Sequence, residues 1–168
     1  MTSRKGFTLI EIFITVSISV LLSAAMILYN RTGERQIALF KDQARVINLI
    51  LRAKSLALQT YTEGSAACGY GVHFDSAIGA AILFKDQAAD CASSDNIYSG
   101  PSEEIGKVIL PSGEKFFQLD FSDITFIPPD PRVVITPVMD SGLIVISPLD
   151  GSSQVKIRVN STGQVTQG

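Results

Sequence analysis

The sequence predicts an α+β chain: one long N-terminal helix, membrane-spanning in its first half, whose second half packs on a C-terminal antiparallel β head built of one sheet or two. Three observations predict it. From Phe7 to Tyr29 the only ionisable side chains are Glu11 and Tyr29. From Asn30 to Tyr61 apolar residues recur with helical spacing and no proline interrupts. Beyond residue 63, short runs rich in β-branched and aromatic residues alternate with turn-forming Gly, Pro, Asn and Asp.

The 168 residues suffice for one domain with a real core, and a net charge of −2 with 46% hydrophobic residues speaks against disorder or a nucleic-acid-coating protein. The average hides an asymmetry. A short basic head, with Arg4 and Lys5, precedes FTLIEIFITVSISVLLSAAMILY. As a helix, residues 7–29 cover about 34 Å, the thickness of one bilayer core. The basic head marks the cytoplasmic side, so the remainder faces outward. The many β-branched residues here weaken a helix in water, but in lipid the backbone must satisfy its own hydrogen bonds and a helix is required.

Glu11 is the residue that needs a reason. A carboxylate in a spanning segment costs roughly 2.5–3.5 kcal/mol at the bilayer centre, less near an end. A secretory signal cut at Ser23-Ala24-Ala25 explains the basic head and the apolar run, but not this glutamate. A segment that later leaves lipid to pack against copies of itself has a use for it, because the charge then meets a positive partner.

In the second half of the helix, Ile37, Phe40, Ala44, Ile47, Leu51 and Leu58 form an apolar stripe, with Arg35, Lys41, Asp42, Arg45 and Arg52 mostly off it. Gly33 is a candidate bend, and Glu63-Gly64-Ser65 a candidate stop with Gly64 as the C′ residue. Strands are expected at 70–74, 80–84, 107–110, 116–119, 124–127, 133–135, 143–147, 155–159 and 164–166, with Asp150-Gly151 as a hairpin turn. Residues 88–104 read as a polar surface loop tied at Cys91.

Lys5-Gly6-Phe7-Thr8-Leu9-Ile10-Glu11 resembles the processing site of type IV prepilins and type II secretion pseudopilins. The resemblance implies a leader at 1–6, cleavage by a prepilin peptidase between Gly6 and Phe7, and N-methylation of Phe7. It implies that Glu11 neutralises the N-terminal amine of a neighbouring subunit in a filament. The remaining divisions are then an assembly half of the helix at 7–29, an amphipathic half at 30–62 and a periplasmic head at 63–168. Cys68-Gly-Tyr-Gly-Val-His-Phe74 and the C-terminal VKIRVNSTGQV run resemble the GspH/FimT type of minor subunit. This implies a low-abundance component of a secretion pseudopilus or, alternatively, of a type IV pilus. Its partners are then other pilins, the peptidase, an assembly platform and the lipid of the inner membrane.

In an exported head, Cys68 and Cys91 suggest one disulfide, worth roughly 3 kcal/mol by loop entropy; two buried thiols are the alternative. Other chemistry finds little footing. His73 is the sole histidine, set in a strand-like run, no zinc spacing occurs, and no phosphate-binding loop is present. No enzymatic activity and no cofactor are expected. Asp86, Asp90, Asp95, Glu103 and Glu104 gather near the long loop without a compact calcium pattern. Lys156 and Arg158, alternate residues of one strand, share a face, a weak footprint for DNA in a mildly acidic protein.

Overall fold

The computed structural model describes residues 7–63, 67–88, 90–128 and 132–168, with the side chains at 28, 30–32 and 60–63 left aside. Helix α1 spans Leu9–Glu63 and nine strands follow: β1 Gly69–Asp75, β2 Ala80–Asp86, β3 Glu104–Ile109, β4 Glu114–Leu119, β5 Asp123–Ile127, β6 Arg132–Thr136, β7 Ser141–Pro148, β8 Val155–Asn160 and β9 Val165–Gln167. A short 3₁₀ turn covers Cys91–Ser93. The fold is α+β, with the strands in two antiparallel sheets ordered β3-β2-β1-β5-β6 and β4-β7-β8-β9.

The chain divides into two compact units at Ala38/Leu39. In the first, Leu9–Ile27 is long and apolar enough to cross a membrane, and none of it is buried within the protein. Its hydroxyls are satisfied inside the helix. Ser17, Ser19 and Ser23 donate to the carbonyls of Phe13, Thr15 and Ser19 at 2.8 Å, and Thr15 to that of Ile12 at 2.9 Å. This is what a helix in hydrocarbon needs, since lipid supplies no partner. The helix assignment runs unbroken through Gly33. The expected stop at Gly64 lies outside the described residues.

The second unit, Leu39–Gly168, joins the later part of α1 to both sheets. The helix residues in its core are Leu39, Val46, Ile47, Leu49, Ile50, Ala53 and Ala57. This corrects the expected stripe. Of the predicted row only Ile47 is buried, while Ile37 is 71% and Phe40 59% exposed, and Leu51 and Leu58 are exposed as well. The row that packs runs 39, 43, 46, 50, 53, 57, one position round the helix. It includes Gln43, whose Nε2 donates to the Lys156 carbonyl at 2.9 Å. Asp42, placed off the stripe by sequence, is buried. Ala53 and Ala57 are fully buried in that core, so the packed row includes small side chains while larger ones of the other row stay exposed.

Candidate functional site: the helix start and the strapped sheet

Two parts of the chain carry the residues singled out by sequence. The first is the start of α1. Thr8 is its N-cap. Glu11 Oε2 accepts from the Thr8 backbone N at 2.8 Å and from Thr8 Oγ1 at 2.9 Å, while the Glu11 N–H lies 3.3 Å from Thr8 Oγ1. This reciprocal arrangement is a capping box, which satisfies amide donors that a helix start leaves open. The Thr-x-x-Glu spacing ahead of an apolar run is its sequence signature, and it was there to be read. Glu11 thus has a local partner before any neighbour is considered. Phe7, next to this cap, is 83% exposed; Gly6 lies outside the described residues.

The second part is the outer face of the first sheet. Paired residues of antiparallel strands share a face. Val72, Leu83, Ile124 and Ile135 are in register on the face that joins the helix in the core. Gly71, His73, Phe84, Ile82, Ala80, Asp123 and Thr125 therefore occupy the other face, yet Phe84, Ile82, Ala80, Asp123 and Thr125 are all buried. The segment between β2 and β3 lies over part of this face, at His73, Phe84, Asp123 and Thr125. The Tyr98 ring stacks on His73 at 5.0 Å and leans on Phe84 at 5.7 Å, and Thr125 Oγ1 donates to the Asn96 carbonyl at 2.7 Å. The segment is a surface loop tied at Cys91, as expected, and it also straps a mixed apolar and polar sheet face.

Its polarity has a structural use, because the carboxylates serve as acceptors for strap groups. Asp123 Oδ1 accepts from the Tyr98 N–H at 3.2 Å and contacts His73 Nδ1 at 2.9 Å. Glu103 accepts from Ser99 N at 2.8 Å and from Gln87 N at 3.4 Å. Asp86 accepts from the Ser94 hydroxyl, Asp90 from Ala92 N at 3.0 Å, and Asp95 from Ile97 N at 3.2 Å. Glu104 pairs with Lys107 at 3.2 Å. Each acidic residue considered for calcium has such a partner, and no cluster of three or more His, Cys, Asp or Glu able to hold a metal occurs among the described residues. His73 is likewise engaged between Asp123 and Tyr98.

Cys68 and Cys91 are joined in a disulfide that closes 23 residues of sequence, with Cα atoms 5.0 Å apart. It fastens the start of the strap beside β1. The glycines of the Cys-Gly-Tyr-Gly run make room on β1: a Cβ on Gly69 would lie 2.9 Å from Thr125 Cγ2, and one on Gly71 2.5 Å from Phe84 Cζ. Lys156 and Arg158 are exposed side by side on β8, at the rim of a shallow hollow of about 90 Å³ shared with Leu143, Thr166 and Gln167.

No family model and no curated protein matches the sequence. Among solved structures, the minor pseudopilin EpsH from the type 2 secretion system of Vibrio cholerae is similar, at 16% identity and a TM-score of 0.44, over 77% of this chain and 94% of that one.

Proposed function

We propose that this chain is a membrane-anchored, pilin-like subunit that acts by assembling into a filament and catalyses no reaction. The observation that carries this reading is Glu11, a carboxylate two residues into an apolar segment that the protein leaves wholly unburied. The preceding Lys5-Gly6-Phe7 matches a prepilin processing site. Capping the helix through Thr8 needs only a glutamine at this position, whereas a helix drawn into a bundle of sister helices has a use for the charge. Thr15, Ser19 and Ser23 recur every fourth residue, with hydroxyls already bonded within the helix. Such small side chains let neighbouring helices approach closely. The uncovered row Ile37, Phe40, Leu51 and Leu58 is further surface for a subunit neighbour.

In this reading the precursor inserts through the inner membrane with residues 1–6 cytoplasmic and its head in the periplasm. Prepilin peptidase cuts after Gly6 and methylates the Phe7 amine. An assembly platform then transfers the subunit from lipid to filament, where Glu11 meets the amine of a neighbour. Buried there without a partner, the carboxylate would be costly, so the pair selects register more than it adds stability. The GspH/FimT-like head sequence supports a minor subunit of a type II secretion pseudopilus, with protein export as its task. The disulfide suits an oxidising compartment outside the cytoplasm.

A second reading, a FimT-like minor pilus subunit that aids DNA uptake, draws on the exposed Lys156 and Arg158. Salt-dependent retention of the protein on immobilised DNA, lost on substituting both, separates it from the first. Assembly itself is tested by recovering the chain in the sheared filament fraction of cells that carry its system. Its absence from that fraction, with normal membrane levels, contradicts the reading.

A further inference from the structure

The two sheets turn faces of opposite charge away from the core. Val72, Leu83 and Ile124 of the first sheet share that core with Ile144, Ile146 and Ile157 of the second, so the other face of each sheet points outward. On the second sheet, register sets the outer face. Ser147 pairs with Lys115, Val145 with Gln118 and Lys156, and Leu143 with Arg158. This face therefore bears Lys115, Lys156 and Arg158, all exposed, and no strand position on it is acidic. None of the three cations is in an ion pair among the described residues. Lys115 holds its Nζ 5.9 Å from the centre of the Phe117 ring, which is itself exposed. Asp120, just past β4, already accepts from Gln118 Nε2 at 2.8 Å and from the Leu143 N–H at 3.0 Å.

The first sheet shows the reverse. Its outer face carries the strap, and residues 87–103 contain Asp90, Asp95 and Glu103 but no lysine or arginine. Asp90 and Asp95 are exposed. Each accepts from a strap amide, Asp90 from Ala92 N and Asp95 from Ile97 N, which holds the carboxylate in place at the surface. Lys107, on the same sheet face through its pairing with Ile82, is paired with Glu104 at 3.2 Å.

We infer that the basic face of the second sheet docks the acidic strap of a second copy of this chain. The inference rests on the assembly reading and deepens it, by naming head surfaces that meet. The strap is tied to the outside of one sheet and the cations sit on the outside of the other, so a molecule cannot close this contact on itself. The two surfaces differ, so the contact is heterologous. Each copy that docks leaves one strap and one basic face free, the arrangement that grows open chains. Opposite charges also steer the approach and fix the orientation, and because they are exposed the contact weakens with salt.

The test is zero-length carbodiimide coupling of the full chain in detergent micelles, which joins a lysine amine to a carboxylate in contact with it. An equal mixture of unlabelled and isotope-labelled chain marks the links between molecules in the mass spectrum. The expected product is a covalent dimer in which Lys115 or Lys156 of one copy is joined to Asp90 or Asp95 of the other. Its yield should fall about fivefold when salt is raised well above physiological strength. Lys156→Glu with Arg158→Glu turns the basic face acidic, and Asp90→Lys with Asp95→Lys turns the strap basic. Each double variant alone should lose the dimer, and mixing the two should restore it. Absence of the wild-type dimer, links at other positions only, or a yield indifferent to salt overturns the inference even if a variant does not fold. Absence of the dimer with retention on DNA through the same cations gives the face to a nucleic acid, and overturns it too. Recovery of the chain in sheared filaments that lack this link overturns the contact and leaves assembly standing, whereas the link without filaments does the reverse.

Discussion

The ring of Phe84 lies against the backbone of Gly71, so close that a Cβ on that glycine would sit 2.5 Å from Cζ of the ring and 2.6 Å from the carbonyl oxygen of Ile124. The ring could rotate away, but only by displacing Tyr98 above it, and the carbonyl belongs to the β5 ladder. Gly71→Ala should therefore destabilise the head by roughly 1–3 kcal/mol, the usual range for overpacking a filled site. Chemical denaturation of the full chain in detergent measures this, and an unchanged midpoint would show that the face beneath the strap is looser than its geometry indicates.

The strap has two kinds of fastening, covalent at Cys68–Cys91 and polar at Asp123, Asp86 and Glu103. Replacing both cysteines by serine should cost about 3 kcal/mol through the unfolded state. It should also open the segment at 88–103 to protease before the strands yield. Limited proteolysis with mass mapping tests this. First cleavage elsewhere, at wild-type rate, would mean that the polar fastenings suffice.

Glu11 has two separable roles, capping the helix through Thr8 and supplying a charge. Glu11→Gln keeps the capping box, because glutamine serves at that position, but removes the charge. Thr8→Val keeps the charge and removes the cap, at a cost of about 1 kcal/mol of helix stability. If charge pairing directs assembly, Glu11→Gln should insert and be processed normally yet fail to enter filaments, while Thr8→Val enters them at a reduced level. Normal incorporation of Glu11→Gln alongside failure of Thr8→Val would assign Glu11 to capping alone.

All nine strands could be read from the sequence to within a few residues, because their alternation and turn residues are local properties. Asp150-Gly151 is one such case, with Gly151 at φ +69° in the turn between β7 and β8. The helix face could not be read in the same way. Two apolar rows run along its second half, and the row richer in large side chains is the one left uncovered. The sheets select the row with Gln43, Ala53 and Ala57, whose merit is small size and a donor aimed at the Lys156 carbonyl, and neither shows in a hydrophobic pattern. The strap was hidden for a related reason. Its own Asp90 and Asp95 are exposed, as they look in sequence, but the carboxylates that hold it are buried: Glu103 at its end, Asp86 on β2 and Asp123 on β5. The capping box at Thr8 and Glu11 is legible in the Thr-x-x-Glu spacing ahead of the apolar run.

The proposed assembly requires processing at the junction of residues 6 and 7. Gly6→Leu should block it, because a larger side chain obstructs the peptidase, and the precursor should accumulate in the membrane. The most direct measurement is intact-mass and peptide mass spectrometry of the membrane-bound protein from its natural host. The expected result is a chain that begins at Phe7 with a methylated amine. A chain that begins at Met1, or at Met26 after signal cleavage, would contradict it.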